Sequence, residues 1–138
     1  MLAWLLTGMN ALASVLFYDD DRLSSNMITD ICQDHQGYIW IATEYGLNKF
    51  DGVNMTQYFC DEATETSLSD NIVRHVLTDR RGALWVVSNL GVQRYNRLTD
   101  AFDNVIFDEG KTANINDITE TGDGHIWLLS AGHGIYEI

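Results

Sequence analysis

The side chains in this sequence that could carry reaction chemistry are few and scattered. Histidine occurs only at His35, His75, His125 and His133, and cysteine only at Cys32 and Cys60. No Ser-His-Asp set, paired-carboxylate signature, phosphate loop or Cys/His zinc spacing is present. A phospho-accepting histidine would sit in a helical box that typically includes proline, and the chain has no proline at all. His35 reads as a turn residue, while His75 and His125 fall in predicted strands and read as packing or sheet-edge residues. Only His133, flanked by Gly132 and Gly134, is a candidate ligand contact. The adjacent Asp19, Asp20 and Asp21 do not make a Ca²⁺ loop, which spaces its carboxylates around a glycine turn, and they read as a solvated acidic lead-in. Asn54-Met55-Thr56 fits a glycosylation sequon, a short and frequent pattern. The residues therefore assign no catalytic group, no metal ligand and no cofactor, and the chemistry left to the chain is recognition.

Recognition needs a scaffold, and the bulk numbers limit which one. The 138 residues are 46% apolar, enough for one domain with a sizeable core. A formal charge of −12, with 8 Lys plus Arg, repels a phosphate backbone and excludes nucleic acid as a partner of this segment. Residues 1–16 include a mostly apolar stretch ending in Ala11-Leu12-Ala13, the outline of a signal-peptide core and cleavage site, without the usual Lys or Arg near its start. Two readings stand: a signal peptide whose start lies upstream, or an apolar helix packed on the domain. Export is the favoured one. Cys32 and Cys60 are then exposed to an oxidising compartment. Strand spacing of about 4.8 Å nevertheless puts them about 14 Å apart, against a Cα limit for a disulfide of about 7 Å. Both are expected as free thiols, Cys32 as a packing residue.

The remaining 122 residues, 17–138, repeat. Trp40, Trp85 and Trp127 stand 45 and 42 residues apart, and residues 23–50 align without a gap on residues 68–95. The two copies share Leu23/Leu68, Ser24/Ser69, Asn26/Asn71, Asp34/Asp79, Gly37/Gly82, Trp40/Trp85 and Gly46/Gly91. A third copy keeps Ile115, Ile118, Gly124 and Trp127 in register. Each copy divides into short runs rich in Ile, Val, Trp, Tyr and Phe, bounded by Gly or Asp, which is the pattern of strands. The first reads as residues 27–33, 38–43, 46–50 and 55–59. The turns between them are too short for parallel crossovers, so each unit is a four-stranded antiparallel meander. Asp34 and Asp79 open type I turns that Gly37 and Gly82 close.

The runs "YIWIAT", "ALWVVS" and "HIWLLS" do not alternate apolar with polar, so both faces of the second strand are predicted to be covered. Sheets of four strands, repeated every 40 to 45 residues and stacked face to face about an axis, form a β-propeller. The fold expected is all-β: two full blades at about 24–59 and 69–106, and most of a third at 115–138. Tryptophan fills the space between neighbouring sheets. The loops joining second to third strands, residues 43–45, 88–90 and 130–133, recur at equivalent places around the axis. Ligands of propellers meet such loops, which makes Glu44, Tyr45, Asn89 and His133 the candidate binding residues: Tyr45 to stack on a ring, the others to hydrogen-bond hydroxyls.

The run "DDRLSSNMITDICQDHQGYIWIATEYGLNKFDG", with its second version "SLSDNIVRHVLTDRRGALWVVSNLGVQRYN", resembles the two-component regulator propeller repeat, and the resemblance covers residues 17–138. The resemblance implies an exported receptor of the hybrid histidine kinase type found in Bacteroidetes. In it, periplasmic propellers sense glycans or oligosaccharides and signal to a kinase elsewhere in the receptor. The partners implied are an oligosaccharide or other small molecule and the rest of the receptor. Open sheet faces at either end also suggest self-association. A propeller hydrolase or lyase and a protein-binding scaffold are the alternatives.

Overall fold

The computed structural model describes residues 22–106 and 114–138. The signal-like segment and the Asp19–Asp21 triplet lie outside the described residues. Strands β1 (Ile28–Gln33), β2 (Ile39–Thr43), β3 (Gly46–Phe50) and β4 (Met55–Tyr58) form one sheet in the order β1-β2-β3-β4. Strands β5 (Val73–Thr78), β6 (Leu84–Ser88), β7 (Gly91–Asn96) and β8 (Ala101–Asn104) form a second in the same order. The third sheet has three strands, β9 (Ile115–Glu120), β10 (Ile126–Ser130) and β11 (Gly134–Glu137), with β10 in the middle. Every pairing is antiparallel between strands adjacent in sequence.

The turn chemistry accounts for the meander. The amides of Gly37 and Gly82 donate to the carbonyls of Asp34 and Asp79, both at 2.9 Å, with φ values of 90° and 84° that a side chain would oppose. Each Asp also caps its own turn: Asp34 Oδ1 accepts from the amides of Gln36 and Tyr38, and Asp79 Oδ1 from those of Arg81 and Ala83.

The sheets stack radially. Strand β1 lies against β5, and β5 against β9, so the first strand of each sheet is its inner one. From the first sheet Trp40, Ala42 and Leu47 meet Val73, Val76, Leu84, Val86, Tyr95 and Phe102 of the second. From the second, Trp85, Val87 and Val92 meet Ile115, Ile118, Ile126 and Leu128 of the third. The first and second sheets thus each carry their tryptophan on the face turned to the following sheet. This is the β-propeller arrangement, with two complete blades and three strands of another.

Two expectations need correction. Strand β10 is not covered on both faces: Trp127 is half-buried and Leu129 is 48% exposed, because no sheet among the described residues follows the third. His125 is not in a strand. It ends the turn before β10, where its carbonyl accepts from Thr121 N, and its exposed ring lies against Glu137. Cys32 and Cys60 are free thiols, each half-buried. Cys32 packs beside the Trp40 cluster with Sγ 3.6 Å from Thr78 Oγ1, and burial pushes its pKa up. None of the described residues forms a helix long and apolar enough to cross a membrane.

Candidate functional site

The hairpins between second and third strands close on the register pairs Thr43↔Gly46, Ser88↔Gly91 and Ser130↔Gly134. All three lie at the sheet end where the inner strands begin. Glu44 N donates to Met27 O at 2.9 Å just before β1, and Asn89 N to Ile72 O at 3.2 Å just before β5. Ala131 N donates to Asn116 Oδ1, at 2.8 Å, near the start of β9.

A buried hydroxyl sets each of the first two hairpins. Thr43 Oγ1 donates to Gly46 O at 2.8 Å and accepts from Tyr45 N at 3.1 Å, so the side chain of residue 45 is turned outward. Ser88 does the same work for residues 90 and 91 through longer bonds of 3.3 and 3.4 Å. The linker serine preceding each inner strand completes the arrangement: Ser24 Oγ lies 3.1 Å from Thr43 Oγ1, and Ser69 Oγ 2.8 Å from Ser88 Oγ. Their amides donate to Asn48 Oδ1 and Gln93 Oε1 on the third strands, both fully buried positions. These bonds account for the serine repeated at Ser24 and Ser69.

On that support the candidate residues stand as follows. Tyr45 is 57% exposed and its ring sits 5.7 Å from that of Phe59, giving two aromatic faces at one hairpin. Glu44 is exposed beside it. Asn89 Oδ1 is occupied by Arg74 Nε at 2.7 Å, which leaves the amide N–H groups of Asn89 as its donors. His133 is exposed on the third hairpin, its backbone N donating to Ser130 O. The structure brings the four to one end of the molecule, and among the described residues no hydrogen bond or ion pair joins any two of them. An aromatic platform with dispersed polar groups can hold a polyhydroxylated ring by stacking and hydrogen bonding. The one carboxylate and the one imidazole of the set, Glu44 and His133, stand on hairpins of different sheets.

The opposite end of the sheets is polar in a different way. Asp34, whose side chain has 0% exposure, accepts through Oδ2 from Trp40 Nε1 and from Arg97 Nη1, both at 2.9 Å. Burial alone would raise the pKa of this carboxyl. The bonds from the Trp40 indole, the Arg97 guanidinium and the Gln36 amide outweigh it and hold the pKa below the ordinary value. Asp79 accepts likewise from Trp85 Nε1 at 2.9 Å, without a guanidinium partner. Arg97 belongs to the second sheet and Asp34 to the first, so this bond staples the two together; Arg80 does the same toward Glu120, Thr121 and Gly122 of the third. Lys49 Nζ lies over the Tyr38 ring at 4.4 Å and the Tyr95 ring at 5.2 Å, and donates to Tyr95 Oη at 3.1 Å. A cleft of about 770 Å³ opens at this end between the second and third sheets, against Trp85, Arg94 and Ile138.

Sequence reasoning took Asp34 and Asp79 for turn formers alone. The signal for their second role was present: both stand six residues before their tryptophan, where the third copy has Thr121. Arg97 and Lys49 carried no comparable signal, since their partners lie on other sheets or strands.

Residues 22–45 match the family described as "Two component regulator propeller". Among solved structures, the chain is similar to the extracellular domain of the hybrid two component system BT3049 from B. thetaiotaomicron. The identity is 28% and the TM-score 0.74, over 84% of this chain and 17% of that one. The extracellular domain of the hybrid two component system BT4673 from the same organism is 26% identical with a TM-score of 0.65, over 82% of this chain and 16% of that one. The chain therefore spans less than a fifth of either domain. Virginiamycin B lyase from Staphylococcus aureus, at 17% identity and a TM-score of 0.58 over 80% of this chain and 40% of that one, shares the fold. No curated protein matches the chain.

Proposed function

We propose, from the premise that this chain carries the two-component regulator propeller repeat, that it is part of the ligand-sensing region of a hybrid two-component sensor histidine kinase. It lies outside the cytoplasm, in the periplasm, and it binds glycans or oligosaccharides without transforming them. The observation that carries the reading is the likeness, over 84% of this chain, to an extracellular domain of a hybrid two component system. The hairpin end supplies the binding surface: Tyr45 beside Phe59 stacks on a sugar ring, while Glu44, Asn89 and His133 bond hydroxyls. A ligand there alters kinase output elsewhere in the receptor only by binding one receptor arrangement more tightly than another.

Isothermal titration of the chain with a panel of neutral and acidic oligosaccharides, followed by chromatography of the recovered sugars, tests this. The proposal requires heat of binding with unchanged sugars, and a weaker response in Tyr45→Ala. Turnover of a sugar would make the protein a propeller enzyme instead. Silence across the panel, with capture of a protein ligand, would make it a scaffold.

A further inference from the structure

The hairpin end holds a cation outside the set of Glu44, Tyr45, Asn89 and His133. Arg74 is the second residue of β5 and is exposed. The chain leading to it threads between two hairpins: Gly46 N donates to Asn71 O at 2.6 Å on the first sheet's side, and Asn89 N to Ile72 O at 3.2 Å on the second's. At a strand rise of about 3.3 Å per residue, Arg74 stands within about 10 Å of the point where Asn71 meets the Tyr45 hairpin.

The chain has 20 Asp plus Glu against 8 Lys plus Arg, and two other arginines are matched to carboxylates. Arg80 reaches Glu120 at 2.8 Å and Arg97 reaches Asp34 at 2.9 Å. Among the described residues Arg74 reaches no carboxylate. Its side chain makes one bond, from Nε to Asn89 Oδ1 at 2.7 Å. A guanidinium only donates, so the Asn89 atom that meets it is the carbonyl oxygen and Nδ2 is left to other partners. With Nε taken, the guanidinium offers its Nη1 and Nη2 edge.

Arg74 and Asn89 therefore form a donor-only pair, each fixing the other. Two parallel N–H groups on a planar cation match the paired oxygens of a carboxylate or sulfate, a geometry that a single hydroxyl cannot fill. Glu44, on the hairpin of the first sheet, gives the end a polarity, with an acceptor there and donors on the second sheet. The formal charge of −12 opposes an anion at long range. That field is largely screened beyond about 8 Å at physiological ionic strength, so the contact at Arg74 decides.

We propose that the hairpin end selects anionic oligosaccharides, the sugar ring lying on Tyr45 and a carboxylate or sulfate group on the Nη1 and Nη2 edge of Arg74 and the amide of Asn89. This rests on the sugar-binding reading above and narrows it to a charge class.

Isothermal titration of the full chain with matched pairs tests the selection: oligogalacturonides against their methyl esters, and sulfated galactan oligosaccharides against their desulfated forms. The charged member of one pair is expected to bind about ten-fold or more tighter than its neutral partner. Which pair responds tells carboxylate from sulfate. Arg74→Gln is expected to bring the two members of that pair to equal affinity. Asn89→Asp, which sets a carboxylate against the guanidinium, is expected to do the same and serves alone should circular dichroism show Arg74→Gln unfolded. Neutral members that bind as tightly as charged ones overturn the selection and leave the sugar-binding reading standing. So does a preference for charge that survives both substitutions. Silence of every charged probe overturns it as well; heat from neutral sugars would then preserve the broader reading, and silence from those too would sink both.

Discussion

Replacing Asp34 by Ala removes the acceptor shared by four donors: the Trp40 indole, Arg97 Nη1, and the amides of Gln36 and Tyr38. The comparison that gives the magnitude is Asp79→Ala, because Asp79 serves the same three neutral donors, Trp85 Nε1 and the amides of Arg81 and Ala83, and lacks the guanidinium. Whatever the neutral donors contribute is thus common to both variants, and the difference isolates Arg97. A hydrogen bond to a charged group is worth about 1.5–3 kcal/mol. Arg97 keeps Gln36 Oε1 at 2.9 Å and Gly82 O at 3.4 Å, and its side chain is 26% exposed, so the lower end of that range applies. Urea unfolding at pH 7, followed by tryptophan fluorescence, should find Asp34→Ala less stable than Asp79→Ala by about 1.5–2 kcal/mol. A double-mutant cycle with Arg97→Ala should return most of that difference as coupling.

The pH dependence has a definite sign. The native pKa of Asp34 is lowered, so its contribution is complete above the ordinary carboxylate value of 3.8 and is lost as pH falls through the depressed native value. The gap between wild type and Asp34→Ala should narrow across that acidic window. Equal destabilisation by the two alanine substitutions, with no coupling to Arg97, would refute the stapling role.

Further consequences follow from burial and backbone geometry. Trp40→Ala should cost about 3–5 kcal/mol in urea unfolding, and the half-buried Trp127→Ala clearly less. Gly46→Ala should cost about 1–3 kcal/mol or more, because Gly46 has φ 106° and an added Cβ would sit 2.8 Å from Tyr58 O; Gly52→Ala, with φ 100° and open space around it, should cost less by the same assay. Cys32, with its pKa raised by burial, should react with iodoacetamide at pH 8 far more slowly in the native chain than in urea, as read by mass spectrometry.

The strands and their antiparallel order were legible because period, turn residues and repeat all coincide. "DHQG" and "DRRG" fix the first turn of each full copy, and uninterrupted apolar runs mark the second strands. Direction of stacking was not legible. Alternate residues along β6, Leu84 and Val86 against Trp85 and Val87, are all apolar, so nothing in the string says which pair looks back and which looks forward. That distinction comes from the packing, and it is why the sequence, which leads one to expect open faces on the end sheets, does not tell that Leu129 lies on one. The hairpin positions of Glu44, Tyr45, Asn89 and His133 followed directly from the repeat. The partners Phe59 and Arg74 did not, because they come from the end of the outer strand and from the inner strand of the same sheet, far along the chain from the hairpins they meet.

The account rests on tryptophans held dry between successive sheets, and hydrogen–deuterium exchange of their indole N–H groups, resolved by NMR, examines this most directly. The protons of Trp40 and Trp85, bonded to buried Asp34 and Asp79, should persist long after that of half-buried Trp127 has exchanged. Exchange of all three at the rate of a free indole would contradict the stacking of these sheets.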